Sequence, residues 1–142
     1  MRVKWLVTSV MLAVLAVAPG FAQTAPALRV SVPFEFTINS TIMPAGQYSI
    51  GDGGLQGVRL LSMRSSDSQH SVLFMVSTVV LGATPDQSTL VFDRSGGRYF
   101  LRNISWAAFD SGAEVPVSKI EKELAKTASM RRPERVVLVA SR

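Results

Sequence analysis

Leu28-Arg29-Val30-Ser31-Val32-Pro33-Phe34-Glu35-Phe36-Thr37-Ile38 sets six apolar residues on alternate positions, with a polar residue or proline between each pair. A period of two sends successive side chains to opposite faces of an extended chain, so the stretch predicts a strand with one buried and one wet face. Pro33 cannot donate to a ladder, which assigns the strand to a sheet edge or to a bulge at that point.

Working outward, the same logic recurs. Asn39 to Gly46 reads as a turn leading into a short strand, Gln47 to Ile50, and Gly51-Asp52-Gly53-Gly54 offers the positive φ that tight connections need. Val58 to Met63 predicts another strand and Arg64 to Gln69 another turn. From His70 to Leu81 the chain is continuously apolar rather than alternating, which predicts a central strand buried on both faces. Thr89 to Arg94 and Arg98 to Trp106 flank Ser95-Gly96-Gly97, the strongest hairpin signal in the chain. On the second arm Phe100, Ile104 and Trp106 share parity with Arg98 and Arg102, so the arginine stems are expected to lie over the sheet with their heads in water.

After a loop from Ala107 to Pro116 the period changes. Ser118 with Glu121 three residues on fits a capping box, and Val117, Ile120, Leu124 and Ala128 recur at helical spacing opposite Lys119, Lys122, Glu123 and Lys126. One amphipathic helix is predicted near residues 119–130. Pro133 ends it, and Val136 to Ala140 makes a last strand able to return beside the first. The expected fold is mainly β: an antiparallel β-sandwich or partly open barrel of about seven or eight strands with one C-terminal helix.

The N-terminus carries an address. Arg2 and Lys4 precede a 14-residue apolar run from Trp5 to Ala18, and Pro19-Gly20-Phe21-Ala22 follows, with small residues where a signal peptidase reads. The run is shorter than the roughly 20 residues that a spanning helix needs. The expectation is a signal peptide over residues 1–22, a loose leader over 23–27, one β-rich domain over 28–142, no transmembrane span after cleavage, and a periplasmic or extracellular destination. Cleavage of 22 of the 142 residues leaves 120, one ordinary domain. It also removes two cations, lowering the formal charge from +5 to +3, too mild and too dispersed to point to nucleic acid. With no cysteine, thiol catalysis, disulfides and thiolate metal sites are excluded.

Val32-Pro33-Phe34-Glu35-Phe36, Met43-Pro44-Ala45-Gly46-Gln47-Tyr48, Leu90-Val91-Phe92-Asp93-Arg94 with Arg98-Tyr99-Phe100-Leu101, and Glu121-Lys122-Glu123-Leu124-Ala125 together resemble a group of small exported β-rich proteins of the acidobacterial type. The resemblance covers most of the chain beyond the signal and implies an exported β domain, with no activity, ligand or catalytic residue attached. Ser95-Gly96-Gly97 stands where such proteins usually carry a bulkier turn residue.

Candidate chemistry is sparse. His70, the single histidine, lies near Asp67 and Ser65, Ser66, Ser68 and Ser71, a composition that a polar turn also explains. Among the acids, Glu35 and Asp93 fall on predicted strands, where pairing with an arginine, as Asp93 with Arg98 across the turn, is the expected role. The glycine clusters do not open a helix after a strand, so neither is a phosphate cradle. Arg94, Arg98 and Arg102 on neighbouring strands form the one candidate surface, able to face an anionic lipid, polysaccharide or acidic protein. No catalytic residue, metal or cofactor is expected. The functional expectation is a non-enzymatic exported domain that binds or scaffolds an envelope component, the alternative being a carrier of a small hydrophobic ligand inside a barrel.

Overall fold

Leu28, Val30 and Val32 are buried and Arg29 and Ser31 exposed, so the alternation sets the faces of β1 (Leu28–Val32) in the computed structural model, which describes residues 27–54, 59–107, 109–127 and 132–141. The expected signal peptide and nearly all of the leader lie outside the described residues. At Pro33 the chain leaves one sheet for another, and β2 (Phe36–Ile38) is buried along its whole length. The eleven-residue strand expected over this stretch is thus two strands. Pro33, which has no N–H for a ladder, marks the crossing.

The remaining elements are β3 (Thr41–Met43), β4 (Gly46–Asp52), β5 (Leu60–Ser65), β6 (Ser71–Met75), β7 (Ser77–Val80), β8 (Ser88–Ser95), β9 (Arg98–Ser105), β10 (Ser111–Glu114), α1 (Lys119–Thr127) and β11 (Glu134–Ala140). The first sheet runs β1-β4-β5-β6. The second runs β11-β8-β9-β10-β7, with β2 lying parallel against β9 and β3 pairing onto β2. Apart from β2 against β9, strand pairing is antiparallel. The sheets meet where Arg29 and Ser141 exchange backbone hydrogen bonds of 2.6 and 2.8 Å, so the last strand does return beside the first. The fold is a mainly β, sandwich-like pair of sheets without a closed barrel.

The eleven strands among the described residues exceed the seven or eight expected because two long strands split between sheets and two short ones, β3 and β10, occupy segments read as turn and loop. The largest correction concerns His70 to Leu81. It is not a central strand: it divides at Val76 into β6, at the edge of the first sheet, and β7, at the edge of the second. Among the described residues no helix is long and apolar enough to cross a membrane.

The space between the sheets is filled by large side chains. Tyr48 and Phe74 of the first sheet meet Phe36 and Phe92 of the second, all buried, with Phe36 edge-on to both Tyr48 and Phe92 at 5.3 Å. Such aromatic pairs add about 0.5–1.5 kcal/mol each beyond area burial. Phe34 closes one corner, stacked on Tyr99 at 3.9 Å.

The β8–β9 hairpin has the expected turn. Gly96 and Gly97 have φ of +59° and +79°, and Ser95 pairs with Arg98, as a two-residue turn with positive φ at both central positions requires. Further along, the register shifts: Val91 opposes Asn103 but Phe92 opposes Leu101, leaving Arg102 as an extra residue in β9. A bulge of this kind reverses side-chain parity beyond it. Leu101 and Ile104 therefore both enter the main core, while Phe100, opposite Asp93, is buried outside that core. The helix α1 packs on β8, its Leu124 lying 3.4 Å from where a Cβ on Gly96 would sit.

Candidate functional site

The three arginines expected to share an anion-facing surface do not share one. Arg94 is partly exposed, 3.4 Å from Glu134 and with its guanidinium 5.5 Å from the centre of the Tyr99 ring. Arg98 is exposed beside the hairpin turn. Arg102 is only 7% exposed, because the bulge turns it onto the face that α1 covers.

There Arg102 holds three elements together. Its Nε lies 3.1 Å from Asp93 Oδ2, one terminal nitrogen donates to the Val115 carbonyl at 3.0 Å, and the other donates to Glu121 of α1. The Arg102 carbonyl in turn accepts the Val115 N–H at 2.8 Å. Asp93 and Glu121 are 6% and 8% exposed, and Arg135 of β11 completes the cluster at 3.3 Å from Asp93. Asp93 thus pairs with Arg102 and Arg135, not with Arg98 across the turn.

Glu121 also departs from its expected role. Ser118 Oγ accepts the Glu121 N–H at 3.2 Å, which is the predicted cap, but the Glu121 carboxylate goes to Arg102 instead of back to Ser118. Burial pushes the Glu121 carboxyl above its ordinary range, the nearby Asp93 charge adds to that, and Arg102 opposes it. Among the described residues no buried side-chain nitrogen or oxygen lacks a partner. With all three guanidinium nitrogens engaged by the protein, the cluster is built to fasten α1 to the sheet.

The Ser/Asp/His neighbourhood is likewise occupied by its own backbone. The Ser65 hydroxyl donates to Asp67 and accepts the His70 N–H at 3.0 Å, and Asp67 accepts the Gln69 N–H at 3.0 Å. Hydrogen bonds from Ser65 and then Gln69 hold the Asp67 carboxyl below its ordinary value. Ser65, Asp67 and His70 shape the turn between β5 and β6, and His70 is exposed. Glu35 is exposed at the corner between β1 and β2. No group of three or more His, Cys, Asp or Glu able to hold a metal ion is found among the described residues. A shallow open groove of about 270 Å3 follows the sheet junction, lined by Arg29, Ser31, Gln47, Val139 and Ser141 among others.

What remains is an edge. β6 pairs with β5 alone and β7 with β10 alone, so each leaves one side of its backbone without a strand neighbour among the described residues. Ser71 to Leu81 contains no charge, glycine or proline. Leu73 is 59% exposed, Met75 60% and Val80 77%, while Phe74 is buried beneath them. The His70 carbonyl accepts from Ser65 and the Val76 N–H donates to Arg59, so the even-numbered residues of β6 bond toward β5. By the alternation of an antiparallel ladder, the N–H and C=O of Ser71, Leu73 and Met75 point to the open side. Sequence reasoning missed this because apolar composition is the same in a central and an uncovered strand. The one local cue is Ser77-Thr78, which interrupts the apolar run where the strand changes sheets.

Fold and site together define a two-sheet, sandwich-like β fold with a fastened helix and an apolar strand edge that has no strand neighbour among the described residues. No family model matches the chain, and neither a curated protein nor a solved structure shows significant similarity to it.

Proposed function

We propose that this protein is an exported, non-enzymatic interaction module of the cell envelope that accepts an extended, uncharged strand along β6. The observation that carries the reading is the open edge itself. Soluble proteins normally blunt such an edge with charge, proline, a bulge or a cover, because a row of free N–H and C=O groups templates pairing with another chain. Here Ser71, Leu73 and Met75 present that row beside two exposed apolar side chains. Strand addition supplies affinity through the main chain and selectivity through alternate side chains. Export is supported by the layout of residues 1–22, and the packing of Tyr48, Phe36, Phe74 and Phe92 between the sheets favours the edge over a hydrophobic ligand held inside.

Titration with uncharged peptides of alternating β-branched residues, followed by backbone amide NMR, tests the reading. Shifts concentrated at Ser71, Leu73 and Met75 are expected. They should vanish in Leu73→Pro, which removes an outward N–H without cutting a bond to β5. Shifts absent from β6, or unaffected by that substitution, would overturn it.

A further inference from the structure

On the reading that β6 takes an added strand, we infer that the strand is β6 of a second copy, paired antiparallel about Leu73. The open residues are symmetrically spaced for this. Setting Leu73 against its own copy sets Ser71 against Met75 and Met75 against Ser71, so every outward N–H finds an outward C=O. The two four-stranded sheets then become one of eight, ordered β1-β4-β5-β6-β6-β5-β4-β1.

Charge selects this contact. Cleavage of the expected signal leaves 13 Lys and Arg against 10 Asp and Glu, a formal +3, so a contact free of charge avoids the mild mutual repulsion of two cationic copies. Ser71 to Leu81 brings no charge to the contact, and no like pair meets across the two-fold axis. An acceptable partner strand must be apolar and uncharged on its exposed positions, and β6 is itself such a strand, already extended and ordered by its bonds to β5. Because the chain changes sheets at Val76, each copy contributes only the five residues of β6. A contact that short is small beside the interfaces of permanent dimers, so the pair should dissociate on dilution. Leu73 on Leu73 and Met75 over Ser71 place both exposed apolar side chains in cross-strand pairs.

The absence of cysteine makes a clean test possible. Ser62 lies opposite Leu73 on β5, so a nitroxide on Ser62→Cys reports the two-fold pairing directly. In the paired state the two labelled backbones are three strand spacings apart, about 14 Å. Sedimentation velocity over a concentration series should show a monomer–dimer equilibrium, the label should report that short distance, and Leu73→Pro should be monomeric with an unchanged circular dichroism spectrum. A dimer with distant labels that persists in Leu73→Pro overturns the inference, as does a monomer at near-millimolar concentration. If the monomer's Ser71, Leu73 and Met75 amides still respond to uncharged strand peptides, strand addition stands and only self-pairing fails. If they do not respond, both fail.

Discussion

Arg102 shows how one extra residue redirects chemistry. Its parity in the sequence groups it with Phe100 and Ile104, stem over the sheet and head in water; across the bulge Phe100 and Ile104 part to opposite faces, and the guanidinium sits under α1 between Asp93 and Glu121. Replacing it by methionine keeps the stem but leaves the buried Glu121 carboxylate without its cation and Asp93 with Arg135 alone, and loss of one partner of a buried ion cluster costs about 3–5 kcal/mol. Urea denaturation of Arg102→Met should show a loss of that size, and a change within about 0.5 kcal/mol would refute the assignment. Glu121 gives a pH signature. Its carboxyl is raised in the folded protein relative to an ordinary 4.5, so between those two values the native state holds more protons and stability falls as pH rises. Glu121→Gln removes that slope, and the gap in urea midpoint between the two proteins should change across that window, the wild type losing ground toward neutral pH. The Ser118 and Glu121 spacing was legible as a cap, and half of it is one. The other half was not, because nothing in the residue pattern announces the bulge that brings Arg102 within reach.

At the scale of elements, the β8–β9 hairpin is where local sequence and structure agree best. Only glycine takes φ of +59° and +79° in succession at little cost, and Gly96-Gly97 do so between paired strands. A Cβ on Gly97 would meet no atom within 4 Å, so Gly97→Ala isolates the conformational term. It should cost about 1–2 kcal/mol in urea denaturation, and Gly97→Asn less. The helix is the opposite case. Nine residues are too few for a stable isolated helix, and Val117 and Ile120, read as its buried stripe, remain substantially exposed. Its anchorage comes from Leu124, the member of that stripe that reaches Gly96, and from Glu121, which lay outside it. Periodicity located α1 correctly from Lys119; the last three residues of the predicted helix lie outside the described residues.

Over the whole molecule, the buried set from Leu28 to Ile38 was readable from alternation, but the passage from one sheet to the other at Pro33 was not, because both sheets bury the same parity until β2 loses its wet face altogether. His70 to Leu81 failed for a related reason: two edge strands in series, each half covered, have the composition of one strand covered twice. That edge makes a prediction for the assembled protein. Leu73→Lys places a charge on a solvent-facing position, so unfolding free energy should stay within about 0.5 kcal/mol of wild type while light scattering at high concentration falls. Unchanged scattering would mean that association runs through another surface.

The paired Arg29 and Ser141 join the beginning of β1 to the end of β11. Residues exchanging two such bonds have Cα atoms about 5.5 Å apart, a gap that a few glycines can span. A circular permutant that fuses these two ends and opens the chain in the polar turn between Ser65 and His70 would therefore retain the same sheets in a new order of synthesis.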